Sequence, residues 1–398
     1  MPTKKKNSVH RVLSRKKKTC SAICILDPID YRTLRANPHT ISFFIDTDNT
    51  TRDCKPTDDT RQCVKYSYVN TSQQCHLNNI KCSASYHNFF KYNDIFIHKA
   101  SRQLQYRGRG QIPFTNVHWG QRKLFASELM FFLDALSVGQ KYHIIYAGSA
   151  CGTHLLLLIK MFPNYKYTLI DPAKFDKRLY LFKQVTIIND YFDSKLAHTL
   201  KKQNTGHKLI FISDIRTEPS EEAITKNMHD QEKWVHIMHP EHSLLKFRLP
   251  WQNVDKPYTY LQGKIYKQIW QPKTSTETRL WVKRPRKKTT RYASQTYSIS
   301  DYENTLFYHN IITRSQNFSI HRDGKKKFPW HKLHMDNCFD CTVEKYIHNK
   351  YIKSKFNCLQ LRNAFQLSLL LTNTLIATDA ATCLENKWNK VQTNLEKL

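Results

Sequence analysis

One stretch constrains this chain more than any other: YHIIYAGSACGTHLLLLIKMFPNYKYTLID, residues 142–171. An apolar run ends at Gly148, a second glycine follows at Gly152, a leucine-rich segment comes next, and another apolar run ends at Asp171. This order predicts a strand, a tight turn, a helix and a second strand. Such an alternation is how a parallel sheet with helices on its faces begins.

The same alternation continues along the chain. The apolar runs QVTIIND, HKLIFISD, WVHIMH, GKIYKQIW and ETRLWVKR are each bounded by turn or capping residues, and we predict them as further strands. Ahead of the first strand, QRKLFASELMFFLDAL predicts a helix with one apolar stripe, formed by Leu124, Leu129, Phe132, Leu133 and Leu136. We therefore predict an α/β fold with a Rossmann-like sheet, helices on both faces, and N- and C-terminal extensions.

Composition divides the 398-residue chain into four predicted regions. Residues 1–19 are a basic arm without acids, predicted to be disordered, and residues 20–100 are an N-terminal region that contains cysteines. The α/β domain spans residues 101–320, and a basic, helical C-terminal region spans residues 321–398. No stretch approaches the roughly 20 apolar residues that cross a bilayer, so no membrane partner is expected. The longest apolar run, LSLLLTNTLIA, is predicted to be a buried helix.

Charge indicates the class of partner. The net charge is +31, from 63 Lys and Arg against 32 Asp and Glu, and such a field attracts polyanions such as RNA. The N-terminal segment has charge but no apolar run, so we expect no secretory signal and expect the 11 cysteines to be reduced thiols. Cys20 with Cys24, and Cys338 with Cys341, are weak zinc signals because no second close pair completes either, and we predict no metal site.

The glycine turn indicates the cofactor. A dinucleotide pyrophosphate favours G-x-G-x-x-G at a helix N-terminus, whereas this chain has G-S-A-C-G. S-adenosylmethionine (SAM) carries no phosphate, so a G-x-x-x-G turn formed by Gly148 and Gly152 suffices for it. Asp171, just past the next strand, is placed to accept two hydrogen bonds from ribose hydroxyls. We predict SAM as the cofactor, with a glycine turn that binds no ligand as the alternative.

Four ionisable residues indicate the chemistry: Lys123, Asp214, Lys246 and Glu277, the last three at or just after strand ends. A ribose 2′-hydroxyl is a weak acid, so its use as a nucleophile requires a nearby base and positive charge around the developing alkoxide. A free lysine has a pKa of about 10.4, but burial beside another cation favours the neutral amine. Lys246 is the predicted base and Lys123 the opposing cation. Asp214 and Glu277 would orient the lysines, and Asp214 can also face the cofactor sulfonium.

The motifs HWGQRKLFASELMFFL, YAGSACGTH, LID, ISDIR, SLLKFRLPW, STETRL and DYENTLFYHNIITR follow one another over roughly residues 115 to 315. In this order the chain resembles the poxvirus-type cap-specific mRNA 2′-O-methyltransferases, FtsJ-like enzymes with a Lys-Asp-Lys-Glu tetrad. The resemblance implies SAM-dependent methylation of the first transcribed nucleotide of N7-methylguanosine-capped mRNA, from cap 0 to cap 1. It also implies capped mRNA and the viral poly(A) polymerase or transcription machinery as partners. The expected location is the host cytoplasm or the virion, with a nuclear address in the basic arm as the alternative.

The resemblance also assigns residues to the two ligands. The expected SAM contacts are Gln121, Tyr146, Gly148, Ser149, Gly152, Asp171, Asp214 and, within the Asp190–Phe192 region near the adenine, Tyr191. Arg216 and Arg248 would lie along the RNA phosphates. Trp251, Asn253 and Glu303 would bind the cap base, because this cationic base is held between aromatic rings and gives its N–H edge to acids.

The chain departs from the family pattern at three of its positions. Asn253 stands where the family has an acid, Cys151 where it has proline, and Ala173 where it has arginine. The second stacking ring is unassigned, with Tyr106 as a candidate. Two alternatives therefore stay open: an FtsJ-like methyltransferase for uncapped structured RNA, and a non-catalytic RNA-binding subunit that gives a poly(A) polymerase its processivity.

Overall fold

The computed structural model describes residues 90–106, 120–251, 255–272, 274–285, 292–317 and 338–376. The basic arm and most of the cysteine-containing N-terminal region lie outside these described residues, as does Asn253.

The described residues form strands and helices in alternation. The strands are β1 (Phe96–Ile97), β2 (Tyr142–Ala147), β3 (Lys166–Ile170), β4 (Val185–Ile188), β5 (Lys208–Ser213), β6 (His242–Phe247), β7 (Tyr258–Leu261), β8 (Lys264–Lys267), β9 (Thr278–Lys283) and β10 (Ser294–Tyr297). The α-helices are α1 (Gly120–Ala135), α2 (Leu155–Met161), α3 (Ser194–Gln203), α4 (Glu221–Met238), α5 (Ile299–Tyr308), α6 (Cys338–Ile352) and α7 (Ala364–Ile376). Short 3-10 helices cover Tyr92–Ile95 and Lys177–Leu181, and a π-helix covers His309–Asn317.

Eight strands make one sheet in the order β1-β8-β9-β6-β5-β2-β3-β4, and β7 pairs with β10 separately. The five neighbouring strands β6, β5, β2, β3 and β4 run parallel to one another. On the other side of β6, each strand is antiparallel to its neighbour: β9 to β6, β8 to β9, and β1 to β8. The predicted Rossmann-like sheet is therefore confirmed. From β2 the chain first builds outward through β3 and β4 and then on the other side through β5 and β6. The crevice beyond the carboxyl ends of β2 and β5 is thus the switch point, where such sheets bind ligands.

Helices cover both faces of the sheet, which explains why the central strands read as continuous apolar runs. All six residues of β2 are buried. Ile144 and Tyr146 point into the core shared with α1, α2, α6 and α7. Ile145 and Ala147 point into the core shared with α3, α4 and α5.

One strand prediction was wrong, because WVHIMH lies in the last turns of α4 and the strand that follows is β6. Ser220 caps the helix, its hydroxyl accepting a hydrogen bond from the Ala223 N–H. Ile224, Met228 and Val235 are buried along one side, a helical spacing that continues through the misassigned run. His239, with φ of 50°, then ends the helix in the left-handed conformation.

The helix α1 is more deeply buried than a single apolar stripe predicts. Every residue from 122 to 132 is buried, because α6 and α7 cover the side that was expected to face solvent. Leu367 and Leu371, from the run predicted as a buried helix, belong to the same core as α1. The helices after residue 337 thus pack directly on the element that carries Lys123. Within the described part of the chain, no helix combines the length and the apolar character needed to cross a membrane.

Candidate active site

The glycine turn after β2 lies against the end of β5. Gly148 and Gly152 adopt φ of +78° and +71°, a conformation that side chains rarely tolerate. A Cβ on Gly148 would stand 3.0 Å from the carbonyl carbon of Asp214 and from the amide nitrogen of Ile215. Only glycine therefore lets this turn approach β5 so closely, and the approach brings the turn beside Asp214.

Three predicted SAM contacts surround the turn. Asp171, at the end of β3, accepts hydrogen bonds from the backbone N–H of Ala150 at 3.1 Å and of Ala173 at 2.8 Å, one on each carboxylate oxygen. Ser149 is buried, and its hydroxyl donates to the Tyr146 carbonyl at 3.2 Å. Tyr191 follows β4 with an exposed side chain. The Asp171 carboxylate is therefore fixed at the rim of the turn.

The four predicted catalytic residues lie together at the carboxyl edge of the sheet. Lys123 Nζ donates to Glu277 Oε1 at 2.6 Å. Lys246 Nζ is 3.3 Å from Glu277 Oε2 and 3.1 Å from Asp214 Oδ1. Glu277, just before β9, thus stands between the lysine of α1 and the lysine of β6.

A fifth charged residue, Arg279, belongs to this cluster and was missed by the sequence analysis. It lies directly opposite Lys246 in the β6–β9 register. Its Nη2 donates to Asp214 Oδ1 at 2.5 Å, and its Nε donates to Gln268 Oε1 at 2.9 Å. Alternation along the strand was the available signal, because residues two apart face the same side and Arg279 follows Glu277 by two. Two lysines and one arginine thus face the two carboxylates.

Burial and neighbouring charges shift the ionisation of the cluster. Burial lowers the pKa of Lys123, although Glu277 opposes the shift. Burial alone would raise the pKa of Asp214, but Arg279 and Lys246 outweigh it and lower that pKa to about 2. Burial alone would also raise the pKa of Glu277, but Lys123 and Lys246 outweigh burial and hold that pKa well below its usual range. Both acids are therefore carboxylates at neutral pH, as holding the cations requires.

A buried polar network lies behind the turn. The Tyr146 hydroxyl donates to Glu128 Oε1 at 2.6 Å, and His154 Nε2 is 3.0 Å from Glu128 Oε2. Gln121 Oε1 is 2.8 Å from His154 Nδ1 and accepts from the His154 backbone N–H at 3.3 Å. Gln121 and Tyr146, both predicted SAM contacts, thus converge on Glu128 and His154. Neither of these was singled out from the sequence, although an acid inside the apolar run LFASELMFFL was a signal.

The Glu221 carboxylate holds the loop after β6, which carries the predicted RNA-contacting residues Arg248 and Trp251. Arg248 Nη2 donates to Glu221 Oε1 at 2.6 Å, and the Trp251 backbone N–H donates to Glu221 Oε2 at 2.7 Å. Glu221 is the first residue of α4, where the helix dipole favours a negative charge. Glu221 was also missed by the sequence analysis. It fixes the two predicted RNA-contacting residues relative to each other.

Trp251 contacts the candidate second ring, but not as a parallel sandwich. The Tyr106 and Trp251 rings are 5.3 Å apart at 71°, an edge-to-face contact. Tyr106 is held there by Asn304, whose Oδ1 accepts its backbone N–H at 3.0 Å. The Trp251 side chain is 40% exposed, so its ring can still receive a planar group.

Two predicted substrate residues carry buried polar atoms that bond to no described residue. Glu303 is 4% exposed, and its Oε1 has no partner within the described part of the chain. Burial raises the pKa of Glu303 to about 7, against the lowering effects of a Thr276 hydrogen bond and of Arg248. Arg216 Nη1 is likewise buried without a partner among those residues. Unsatisfied buried groups are costly, so a ligand that pairs with them gains affinity.

The described ranges hold no cluster of three or more His, Cys, Asp or Glu side chains that could bind a metal ion. Cys20 and Cys24 lie outside these ranges, and so do the side chains of Cys338 and Cys341.

Known proteins with similar sequences are cap-specific mRNA (nucleoside-2′-O-)-methyltransferases of poxviruses. Over 219 residues the chain is 31% identical to the cap-specific mRNA (nucleoside-2′-O-)-methyltransferase of Myxoma virus (strain Lausanne), a match covering 52% of this chain and 64% of that protein. Over 209 residues it is 30% identical to the protein of the same name from Fowlpox virus (strain NVSL), covering 49% and 68%. The chain thus spans slightly less than two thirds of the Myxoma protein's length. The resemblance inferred from the motifs is confirmed.

Among solved structures, a bluetongue virus VP4 structure described as a multifunctional RNA-capping production-line has 14% identity and a TM-score of 0.39, over 59% of this chain and 41% of that one. The sequence profile of the poly A polymerase regulatory subunit family matches residues 67–375. Because this match covers most of the chain, the protein belongs to the poly A polymerase regulatory subunit family.

Proposed function

We propose that this chain is a SAM-dependent methyltransferase that modifies the ribose 2′-hydroxyl of the first transcribed nucleotide of N7-methylguanosine-capped mRNA. The observation that carries the proposal is the contact of Lys123 and Lys246 with one carboxylate, Glu277, at 2.6 and 3.3 Å. A cluster of two amines and two acids beside a glycine turn is what deprotonation of a sugar hydroxyl next to SAM requires. The Myxoma and Fowlpox proteins, named for this reaction, support it.

The residues around the turn fit SAM. Gly148 leaves the backbone without a side chain at its closest approach to β5, and the Asp171 carboxylate stands beside the turn for the ribose hydroxyls. Gln121 and Tyr191 would hold the two ends of the molecule, the amino acid and the adenine. When bound, SAM supplies a methyl group made electrophilic by its sulfonium. The Asp214 carboxylate supplies negative charge where the turn meets β5.

The cluster performs the proton chemistry. Lys246 in its neutral form would accept the proton of the 2′-hydroxyl. Lys123 and Arg279 would then stabilise the developing alkoxide, because fixed positive charge in a buried site acts more strongly than in water. Glu277 keeps both amines at one point, and Asp214 does the same for Lys246 and Arg279.

The substrate side supports recognition of a cap. The exposed ring of Trp251 would stack on the cationic N7-methylguanine. Glu303 Oε1, to which no described residue bonds, would accept a hydrogen bond from the N–H edge of the base. Arg216 would contact RNA phosphates through Nη1, which has no partner among the residues that the structure describes. Arg248 would do so by leaving Glu221 for a phosphate.

A methyl-transfer assay on three RNAs tests the proposal. We expect radiolabelled methyl to reach RNA with an N7-methylguanosine cap at least about tenfold faster than RNA with an unmethylated cap or none, since losing a charged contact costs that much or more. Equal transfer to uncapped RNA would favour the alternative of an FtsJ-like enzyme for structured RNA. No transfer to any of the three would rule out the proposed reaction.

Cap binding should strengthen as the pH rises through about 7, because Glu303 has its pKa raised to about 7 by burial. Below that pH the carboxyl group is neutral and accepts the cap N–H weakly, whereas above it the carboxylate accepts strongly. From about pH 6 to pH 8 the ionised fraction of Glu303 rises about tenfold, and the affinity for a capped dinucleotide should follow it. Fluorescence titration measures this affinity.

The control for this pH dependence is Glu303→Gln, which cannot ionise. Any dependence that remains in the variant reports the titration of the ligand itself. If the parent protein and the variant show the same pH profile, Glu303 does not bind the cap.

A second function is favoured by the family description, poly A polymerase regulatory subunit. We propose that the chain also assists a poly(A) polymerase. The net charge of +31 favours binding to the phosphates of the RNA that such a polymerase extends. Because ion pairs join Lys123, Glu277, Lys246 and Asp214 in a chain, this role would accompany methyl transfer instead of replacing it.

A further inference from the structure

The buried pair of Glu128 and His154 has no part in the chemistry proposed so far. Glu128 is 1% exposed and His154 is fully buried, although both are polar and lie among apolar side chains. Burying such groups is costly unless hydrogen bonds satisfy them, and here all four side-chain atoms that can pair have partners within 3.2 Å. The pair therefore forms a complete network, and it ends on Gln121.

The network fixes which way the Gln121 amide points. The backbone N–H of His154 can only donate, and it bonds to the same Gln121 atom as His154 Nδ1 does. That atom must be the amide oxygen, because the NH₂ group would set donor against donor. It follows that His154 Nδ1 carries a hydrogen, and that the NH₂ group of Gln121 is turned away from His154. No described residue accepts a hydrogen bond from this group.

Glu128 fixes the other edge of the imidazole ring. Its two oxygens lie 3.2 and 3.0 Å from His154 Nε2, and one of them also accepts from the Tyr146 hydroxyl at 2.6 Å. A histidine ring held by a carboxylate at one nitrogen presents the other nitrogen in a fixed direction. Glu128 thus orients His154, and His154 orients Gln121.

Gln121 stands where the amino-acid end of SAM would lie. It precedes Lys123 by two residues on α1, and it bonds to His154 at the start of α2, immediately after the glycine turn. The ribose end is marked instead by Asp171, at the end of β3. The amino-acid end of SAM offers a carboxylate, which accepts, and an ammonium, which donates.

We infer that His154, held by Glu128, is a positioning residue that turns the Gln121 NH₂ group toward the SAM carboxylate and so makes the site select donors that carry this carboxylate. The inference rests on the proposed function. An amide in the opposite orientation would present its oxygen and favour the ammonium, so the direction of the amide decides which group is recognised. The chemical class selected is an α-amino acid sulfonium nucleoside.

Two substitutions at one position separate the two edges of the ring. In His154→Asn, the new side-chain amide reaches about as far as Nδ1 of the parent histidine and can still donate to Gln121. In His154→Gln, the new side-chain amide reaches about as far as Nε2 of the parent histidine and can donate only to Glu128. Calorimetric titration of the full chain with SAM and with decarboxylated SAM gives the ratio of the two affinities for each protein. A merely damaged pocket would weaken both ligands alike and leave this ratio unchanged.

The parent protein should prefer SAM over decarboxylated SAM by about tenfold or more, as one hydrogen bond to a charged group implies. His154→Asn should keep most of this preference, and His154→Gln should lose it to within about threefold. Gln121→Glu, which has the same shape but offers only oxygens, should reverse the preference. Thermal unfolding of each variant establishes that it is folded.

The outcomes that overturn the inference are distinct. A parent protein that binds neither ligand refutes the proposed function and this inference with it. A parent protein that binds both ligands equally refutes only the recognition of the carboxylate. Retained preference in His154→Gln, or equal loss in His154→Asn and His154→Gln, refutes the positioning role. Should the His154 variants fail to fold, Gln121→Glu decides alone, because a continued preference for SAM in that variant contradicts the assigned amide direction.

Discussion

Replacing Lys246 by methionine should lower methyl transfer to capped RNA by about a thousandfold, in the middle of the range for a lost general base. Methionine keeps the length and packing of the lysine stem but cannot accept a proton. The substitution also leaves the site electrically balanced, since Lys123 and Arg279 still face Asp214 and Glu277. We therefore expect the variant to fold, and to bind SAM within about threefold of the parent protein.

The matched control for this prediction is Lys123→Met. It removes one cation from the same carboxylate, Glu277, and leaves Lys246 with Asp214 and Arg279. If Lys246 is the base and Lys123 supplies positive charge, Lys123→Met should cost about ten- to a hundredfold, less than Lys246→Met. Single-turnover rates measure both, because they exclude product release.

The order of the two effects is what can contradict the assignment. A Lys246→Met variant that transfers methyl at the parental rate would show that another group takes the proton. A larger loss in Lys123→Met would exchange the two roles, and the lowered pKa of Lys123 makes this a real alternative. Equal losses would show that the two lysines act as one unit.

The central fold was predictable because local rules determine it. The apolar run that ends at Gly148 and the similar runs after it are typical of buried strands. The carboxyl ends of parallel strands must meet at one edge of a sheet. Asp214, after β5, and Lys246, near the end of β6, could therefore be expected to lie together. Glu277 joined them because β9 runs antiparallel and begins at that same edge.

The missed residues are those whose role depends on a distant segment. Arg279 bonds to Asp214 across 65 positions of sequence, and Glu128 meets His154 across 26. A buried charge is tolerable only where its partner arrives, and sequence spacing does not show the partner. The strand predicted over WVHIMH failed for a related reason, because a short apolar run fits either a strand or the buried side of a helix.

The amphipathic pattern of α1 likewise did not predict what covers its second side. Arg122 stands next to Lys123 and its position predicts a solvent-facing residue, yet it is 1% exposed and bonds to side chains of α6 and α7. Its Nε and Nη2 donate to the two oxygens of Glu344 at 2.8 and 2.7 Å, across 222 positions. The helix that carries Lys123 is thus anchored by residues near the far end of the chain.

Replacing Glu344 by alanine should therefore lower the free energy of unfolding by about 3–5 kcal/mol, the cost of leaving one partner of a buried ion pair uncompensated. Besides Arg122, the Trp270 indole N–H at 2.7 Å and the Ser368 hydroxyl at 2.9 Å would each lose an acceptor in Glu344. A loss of this size is a large share of the roughly 5–15 kcal/mol that stabilise a typical domain. Denaturant unfolding of the full chain measures it.

Two control variants are compared with the loss of unfolding free energy in Glu344→Ala. Asp230→Ala breaks the exposed pair of Lys226 and Asp230, at 2.9 Å on the surface of α4, and should cost less than about 1 kcal/mol. The double variant Arg122→Met with Glu344→Met replaces the buried pair by apolar side chains and should be milder than Glu344→Ala, because no unpaired charge remains. If Glu344→Ala costs no more than Asp230→Ala, the pair does not anchor α1. If it costs the full amount, methyl transfer should fall with it, because the residue released from Glu344 is the immediate neighbour of Lys123.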